Sequence, residues 1–125
     1  MNTVSYVWTK TALRPAMALA VSDRTTGNLF DFATGWTFAG KIALATDRQK
    51  VLATVSGARF TGSTPLSPSD PNLVMALQLT DVAGLDPDPR GTLYVVHIEA
   101  TSGADLPMPI RADDPPSFLL YPTPA

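Results

Sequence analysis

The chain has 125 residues, long enough for one hydrophobic core and too short for two, and its 9 Lys+Arg against 11 Asp+Glu leave no basic surplus to neutralise nucleic-acid phosphates. Cysteine is absent, which excludes disulfides, thiolate metal sites and a cysteine nucleophile; no basic start leads into an apolar signal segment, and no apolar run is long enough to span a bilayer. Charged residues make up 16% of the chain against roughly 25% in an average soluble domain, so much of the surface is uncharged, and a partner protein is the usual cover for such a surface.

The acidic residues separate by type. Asp occurs ten times and Glu once, at Glu99. Glu favours helices, whereas Asp competes for backbone hydrogen bonds and favours turns and caps. Twelve prolines and eight glycines point the same way, and the composition reads as all-β with many turns.

In chain order, residues 4–8 alternate with Val4, Tyr6 and Trp8 on one face, as a half-buried strand does. Residues 16–21 place Met17, Leu19 and Val21 on one face and small alanines on the other. Turn residues fill 22–28, and 29–32 form a short apolar return broken by Gly35. Residues 36–44 put Trp36, Phe38, Ile42 and Leu44 on one face, with Gly40 marking a bulge or a close backbone approach. A charged turn over 46–50 leads back into a strand over 51–55, which reads as a hairpin. Residues 58–61 can add another short strand.

Residues 62–72 carry too many prolines for a central strand and read as a loop. Leu73, Met75, Leu77 and Leu79 then share a face. Residues 80–85 suggest one helical turn capped by Thr80 or Asp81. After a sharp Asp-Pro turn, 92–100 is the strongest strand, with Tyr94, Val96 and Ile98 opposite Leu93, Val95 and His97. Residues 101–105 connect to a strand over 106–111, and the last strand covers 117–121. Short strands at this spacing predict a single domain over 1–125: an immunoglobulin-like antiparallel β-sandwich of about seven to eight strands with one short helical turn. An open jelly-roll or a small barrel satisfies the same strand count.

The sole histidine, His97, lies two residues before Glu99 on the same strand face. The two could form a general-base pair, but an outward strand face with two polar residues accounts for them as well. Asp86 and Asp88, with Asp113 and Asp114, could offer oxygen ligands to calcium. Asp-Pro dipeptides also initiate turns, and the EF-hand spacing is absent. There is no nucleophile elbow and no phosphate-cradling glycine loop. The sequence therefore assigns no catalytic, cofactor-binding or metal residue, and the expectation is a protein that is not an enzyme.

Trp36 and Phe38 alternate with polar neighbours and are expected in the core. Trp8 lies near a terminus, where an edge strand could lend it to a neighbour, and the apolar run 118–121 fits an edge or intersubunit strand. Trp8, Phe118, Leu120 and Tyr121 are thus the candidate partner contacts.

The order of segments resembles a phage family. Residues 10–14 followed by Pro15-Ala16-Met17-Ala18-Leu19, then Val21-Ser22-Asp23 and Thr26-Gly27, resemble the opening of the N-terminal domain of phage baseplate upper proteins. The stretch Asp31 to Phe38 is similar to that family's next Asp-to-Phe step. Leu79 to Leu85 resembles its short helical turn, and Gly91 to Ile98 resembles its Gly-led central strand. Phe32 stands where the family often has Leu, and the 62–72 loop is unusually proline-rich; both bear on the position in the particle. The resemblance implies an immunoglobulin-like sandwich built into a phage tail or baseplate, with no catalytic residues to carry over. It further implies contacts with other virion proteins and three- or six-fold homo-oligomers, without nucleic acid, membrane or cofactor. The chain would be made in the host cytoplasm and end in the virion. A capsid decoration protein and a receptor- or carbohydrate-binding sandwich are the alternatives.

Overall fold

Nine strands in two sheets make up the computed structural model, which describes residues 5–10, 16–23, 25–103, 105–111 and 115–122. The larger sheet holds β1 (Ser5–Thr9), β3 (Trp36–Leu44), β4 (Asp47–Val55), β7 (Thr92–Ser102), β8 (Met108–Ile110) and β9 (Ser117–Tyr121). Their order is β1-β9-β7-β3-β4, with β8 pairing β7 beside β9. The smaller sheet runs β2 (Met17–Leu19), β6 (Leu73–Met75), β5 (Phe60–Gly62). The fold is an all-β sandwich, as the turn spacing predicts. Every strand pair is antiparallel except β1 with β9, which run parallel.

β7 is the spine. One edge pairs with β3 from Tyr94 to Ser102, and the other is shared by β9 at its start and β8 further on. Side chains on a strand alternate between faces. Tyr94, Val96, Ile98 and Ala100 therefore all enter the core, with Ile42 of β3 and Phe118 and Leu120 of β9 beside them. Met17, Leu19, Leu73, Met75 and Phe60 of the smaller sheet close the core from the opposite side. Gly40 lies on the inward face of β3, where a Cβ would stand 3.0 Å from Val55 Cβ and 3.2 Å from the Phe60 ring. The glycine marks a close approach of the two sheets. The irregularity of the β3–β4 ladder comes later, between Ile42 and Leu44.

Asn72 joins the loops of the smaller sheet and is fully buried. Its Oδ1 accepts from Val21 N–H at 2.8 Å, and its Nδ2 donates to the carbonyls of Val21 (2.9 Å) and Phe30 (2.8 Å). Its own N–H donates to Leu19, and its carbonyl accepts from Ser63 N–H. One side-chain amide thus continues the β2–β6 ladder after the backbone has turned away. Phe32, held nearby, is buried and meets Trp36 edge-on at 5.0 Å.

Several local readings differ from the structure: residues 57–59 form a 3-10 turn ahead of β5, and Leu79 leaves the face it was to share with Leu73 and opens a helical turn instead. The charged run 46–50 reads as a turn, yet Ala45 and Thr46 suffice to reverse the chain and β4 begins at Asp47. Charged residues suit this strand because it ends the sheet and its side chains are mostly exposed. The apolar return over 29–32 forms only a single bridge, Ser22 to Leu29. The helical turn α1 (Leu79–Val82) is capped at Gln78, whose N–H donates to the Asp81 carboxylate at 2.7 Å. Asp81 therefore acts from inside the helix, and it also pairs with Arg59 at 2.7 Å.

Asn72→Ala orphans the buried Val21 N–H and the Phe30 carbonyl, at about 1–3 kcal/mol for each group. A loss of about 3 kcal/mol is expected, read as a lower urea midpoint with an unchanged slope.

Candidate interaction surface

The parallel β1–β9 register sets Tyr6 beside Phe118 and Trp8 beside Leu120. All four point inward. Trp8 (2% exposed), Phe118 and Leu120 (both 0%) are core residues, with the Trp8 and Phe118 rings 5.0 Å apart and the Phe118 and Tyr94 rings 5.5 Å apart. These three cannot be partner contacts. β1 does end the sheet, as an edge strand should, but its alternation turns Trp8 into the sandwich. Tyr121 lies on the other face and is half-buried, with its ring over Gly91, where a Cβ would come within 2.9 Å.

The residues between them form the outer face. Val7 pairs with Leu119, and Leu119 with Leu93, giving an apolar row across β1, β9 and β7. Val7 is 62% exposed, Leu93 40%, and Leu119 half-buried. The signal for this row was in the sequence: 118–121 is apolar at every position, so the strand carries apolar side chains on both faces.

One row further on, Ala43, Val95 and Ser117 are buried. Past them, His97 pairs with Lys41 and Glu99 with Ala39. These residues, with Arg48 and Val51, line a shallow groove of about 310 Å³. His97 is half-buried, and its Nε2–H donates to the Arg48 carbonyl at 3.1 Å. That bond ties β7 to the start of β4. His97 and Glu99 do share the outer face, as their spacing requires.

A second concavity, about 530 Å³, opens at the end of the β3–β4 hairpin, where the 84–89 segment crosses in front of it. Leu44, Leu52, Leu85 and Pro87 supply apolar walls, Tyr94 part of the lining, and Asp86 and Asp88 the charge. Lys10 holds this segment in place, its Nζ donating to the carbonyls of Ala83 (3.1 Å) and Leu85 (2.8 Å), just past the end of α1. Burial pushes the Tyr94 phenol above its ordinary value of 10.0, the Asp86 charge pushes it further, and a hydrogen bond with Thr92 partly offsets both. Asp113 and Asp114, the other half of the possible calcium set, lie outside the described residues. Among the described residues, no three His, Asp or Glu side chains converge as metal ligands, and no helix is long and apolar enough to cross a membrane.

No protein family, curated protein or solved structure matches the chain.

Two measurements check these placements. Trp8→Ala should cost about 4 kcal/mol by urea denaturation, whereas Val7→Ser should stay within about 0.5 kcal/mol. The raised Tyr94 pKa means that the folded state keeps this proton to higher pH than the unfolded chain does. Stability should therefore decline as pH rises past 10, and Tyr94→Phe should flatten that alkaline limb of the stability curve.

Proposed function

We propose that the chain is a structural component of a bacteriophage virion, a minor tail or baseplate adaptor that works by protein–protein contact rather than by catalysis. The observation that carries the reading is the exposed row Val7–Leu119–Leu93 on the outer face of the larger sheet. Apolar side chains aligned across three strands make a flat surface that gains free energy when a partner removes it from water, at about 25 cal/mol per Å². The segment-by-segment resemblance to baseplate upper protein N-terminal domains supplies the setting. In that setting the partners are other tail or baseplate proteins, the copies are arranged with three- or six-fold symmetry, and the chain ends in the particle.

A carbohydrate- or receptor-binding sandwich draws less support, because stacking on a sugar needs an open aromatic face. Trp8 is in the core, and the half-buried Trp36 is flanked by Phe30 and Phe32 at 5.6 and 5.0 Å. A capsid decoration protein would use the same outer row but at capsid copy number.

Quantitative mass spectrometry of purified phage particles from the source separates these readings. Copies in a low multiple of three or six, set against the tail-tube protein, are the expected result. Hundreds of copies per particle would transfer the chain to the capsid surface, and absence from clean particles would overturn the virion reading.

A further inference from the structure

The two concavities lie on opposite faces of the larger sheet and come together at Val51 and Leu52 of β4. The β3–β4 register sets Ala53 against Ile42 and Val51 against Ala43, so Leu52 is the extra residue of the bulge. Val51 lines the outer groove and Leu52 lines the cleft behind it. Both are exposed, at 46% and 37%. Alternation thus gives each face an apolar side chain at this point of β4, and the bulge sets Val51 on the groove side, opposite Ala43.

The charges around the two centres are opposite. On the groove stand Lys41 and Arg48, with His97 between the strands and Glu99 as the single acid. On the cleft stand Asp86 and Asp88, with no basic side chain in the lining. Two charged groups nearby are already engaged: Asp81 pairs with Arg59, and Lys10 is bound to the carbonyls of Ala83 and Leu85. Asp86, Asp88, Lys41 and Arg48, by contrast, join no ion pair among the described residues. The net charge of −2 therefore conceals two unspent patches of opposite sign.

We infer that the cleft of one copy receives the groove face of a second copy, with Lys41 and Arg48 reaching Asp86 and Asp88 around the apolar contact of Val51 with Leu44 and Leu52. The assembly reading above supplies the biological setting, and this inference names a partner and a contact for it. Long basic side chains suit such a cleft because their methylene stems cover apolar walls while their heads meet the carboxylates. The contact joins two different patches, so each copy keeps one patch free and the pair keeps one of each. It is heterologous, and it continues until it closes as a ring or grows as a filament.

Sedimentation velocity on the intact chain tests this, over a concentration series at about 0.02 M and about 0.5 M salt. The wild type should grow past a dimer with concentration at low salt and dissociate at high salt. Asp86→Asn with Asp88→Asn, and separately Lys41→Gln with Arg48→Gln, should each weaken self-association by at least roughly tenfold. All four side chains are exposed, and matching thermal melts would verify that both variants fold. Mixing the two variants leaves one intact patch of each kind, so a one-to-one complex that stops at two copies is the distinguishing result. A wild type that stays monomeric throughout overturns the inference, as does a dimer that neither variant weakens. Either result leaves the virion reading to the particle measurement: a monomer found in clean particles would retain that reading and discard this contact.

Discussion

The two-residue period of β7 governs the rest of the molecule. With both edges occupied by β3 on one side and β8 and β9 on the other, this strand cannot rotate or slip without breaking three ladders. A shift of one residue would bring His97 and Glu99 into the core and expel Tyr94, Val96 and Ile98. Each surface feature follows from that register. Leu93 extends the apolar row, His97 and Glu99 line the groove, and Tyr94 reaches the cleft from the opposite face.

The smaller sheet is held differently. Its strands have three residues each, too few for the ladders alone to define its loops. Asn72 supplies what is missing by binding both backbone groups of Val21 and the carbonyl of Phe30 from a fully buried position. Buried amides with all their partners in place specify one arrangement, because any other leaves a polar group dry and unpaired. Gly62, at the end of β5, serves the same region. A Cβ there would run into the Phe32 carbonyl oxygen, so only glycine lets the two backbones approach.

Exposed features concentrate on the larger sheet, whose hairpin carries a groove on one side and a cleft on the other. Alternation along β4 sends neighbouring Val51 and Leu52 to opposite faces, and the bulge at Leu52 sets the phase, placing Val51 opposite Ala43 on the groove side. Low overall charge leaves Lys41 and Arg48 on one face and Asp86 and Asp88 on the other as small, exposed patches of opposite sign. Such patches set orientation and register more than raw affinity.

The sequence by itself determined the all-β class, the phase of β2, β3 and β7, and the core positions of Ile42, Val96 and Leu73, and it marked Gly40 as a bulge or a close backbone approach. These follow from local periodicity and turn chemistry, which act over a few residues. It left open which side of a terminal strand faces the core, and it read β9 as an edge, although that strand lies between β1 and β7. Trp8, Phe118 and Leu120 looked like contacts because they sit near the chain ends, and they are buried because parallel pairing of β1 with β9 seals the sandwich. The hub at Asn72 was equally hidden, since a polar residue in a proline-rich loop gives no sign that Val21, 51 positions earlier, is its partner. The two oppositely charged faces depend on bringing residues 41, 48, 86 and 88 to one end of the hairpin. Only tertiary structure decides that, because the ladders and loop closures responsible join residues far apart in the chain.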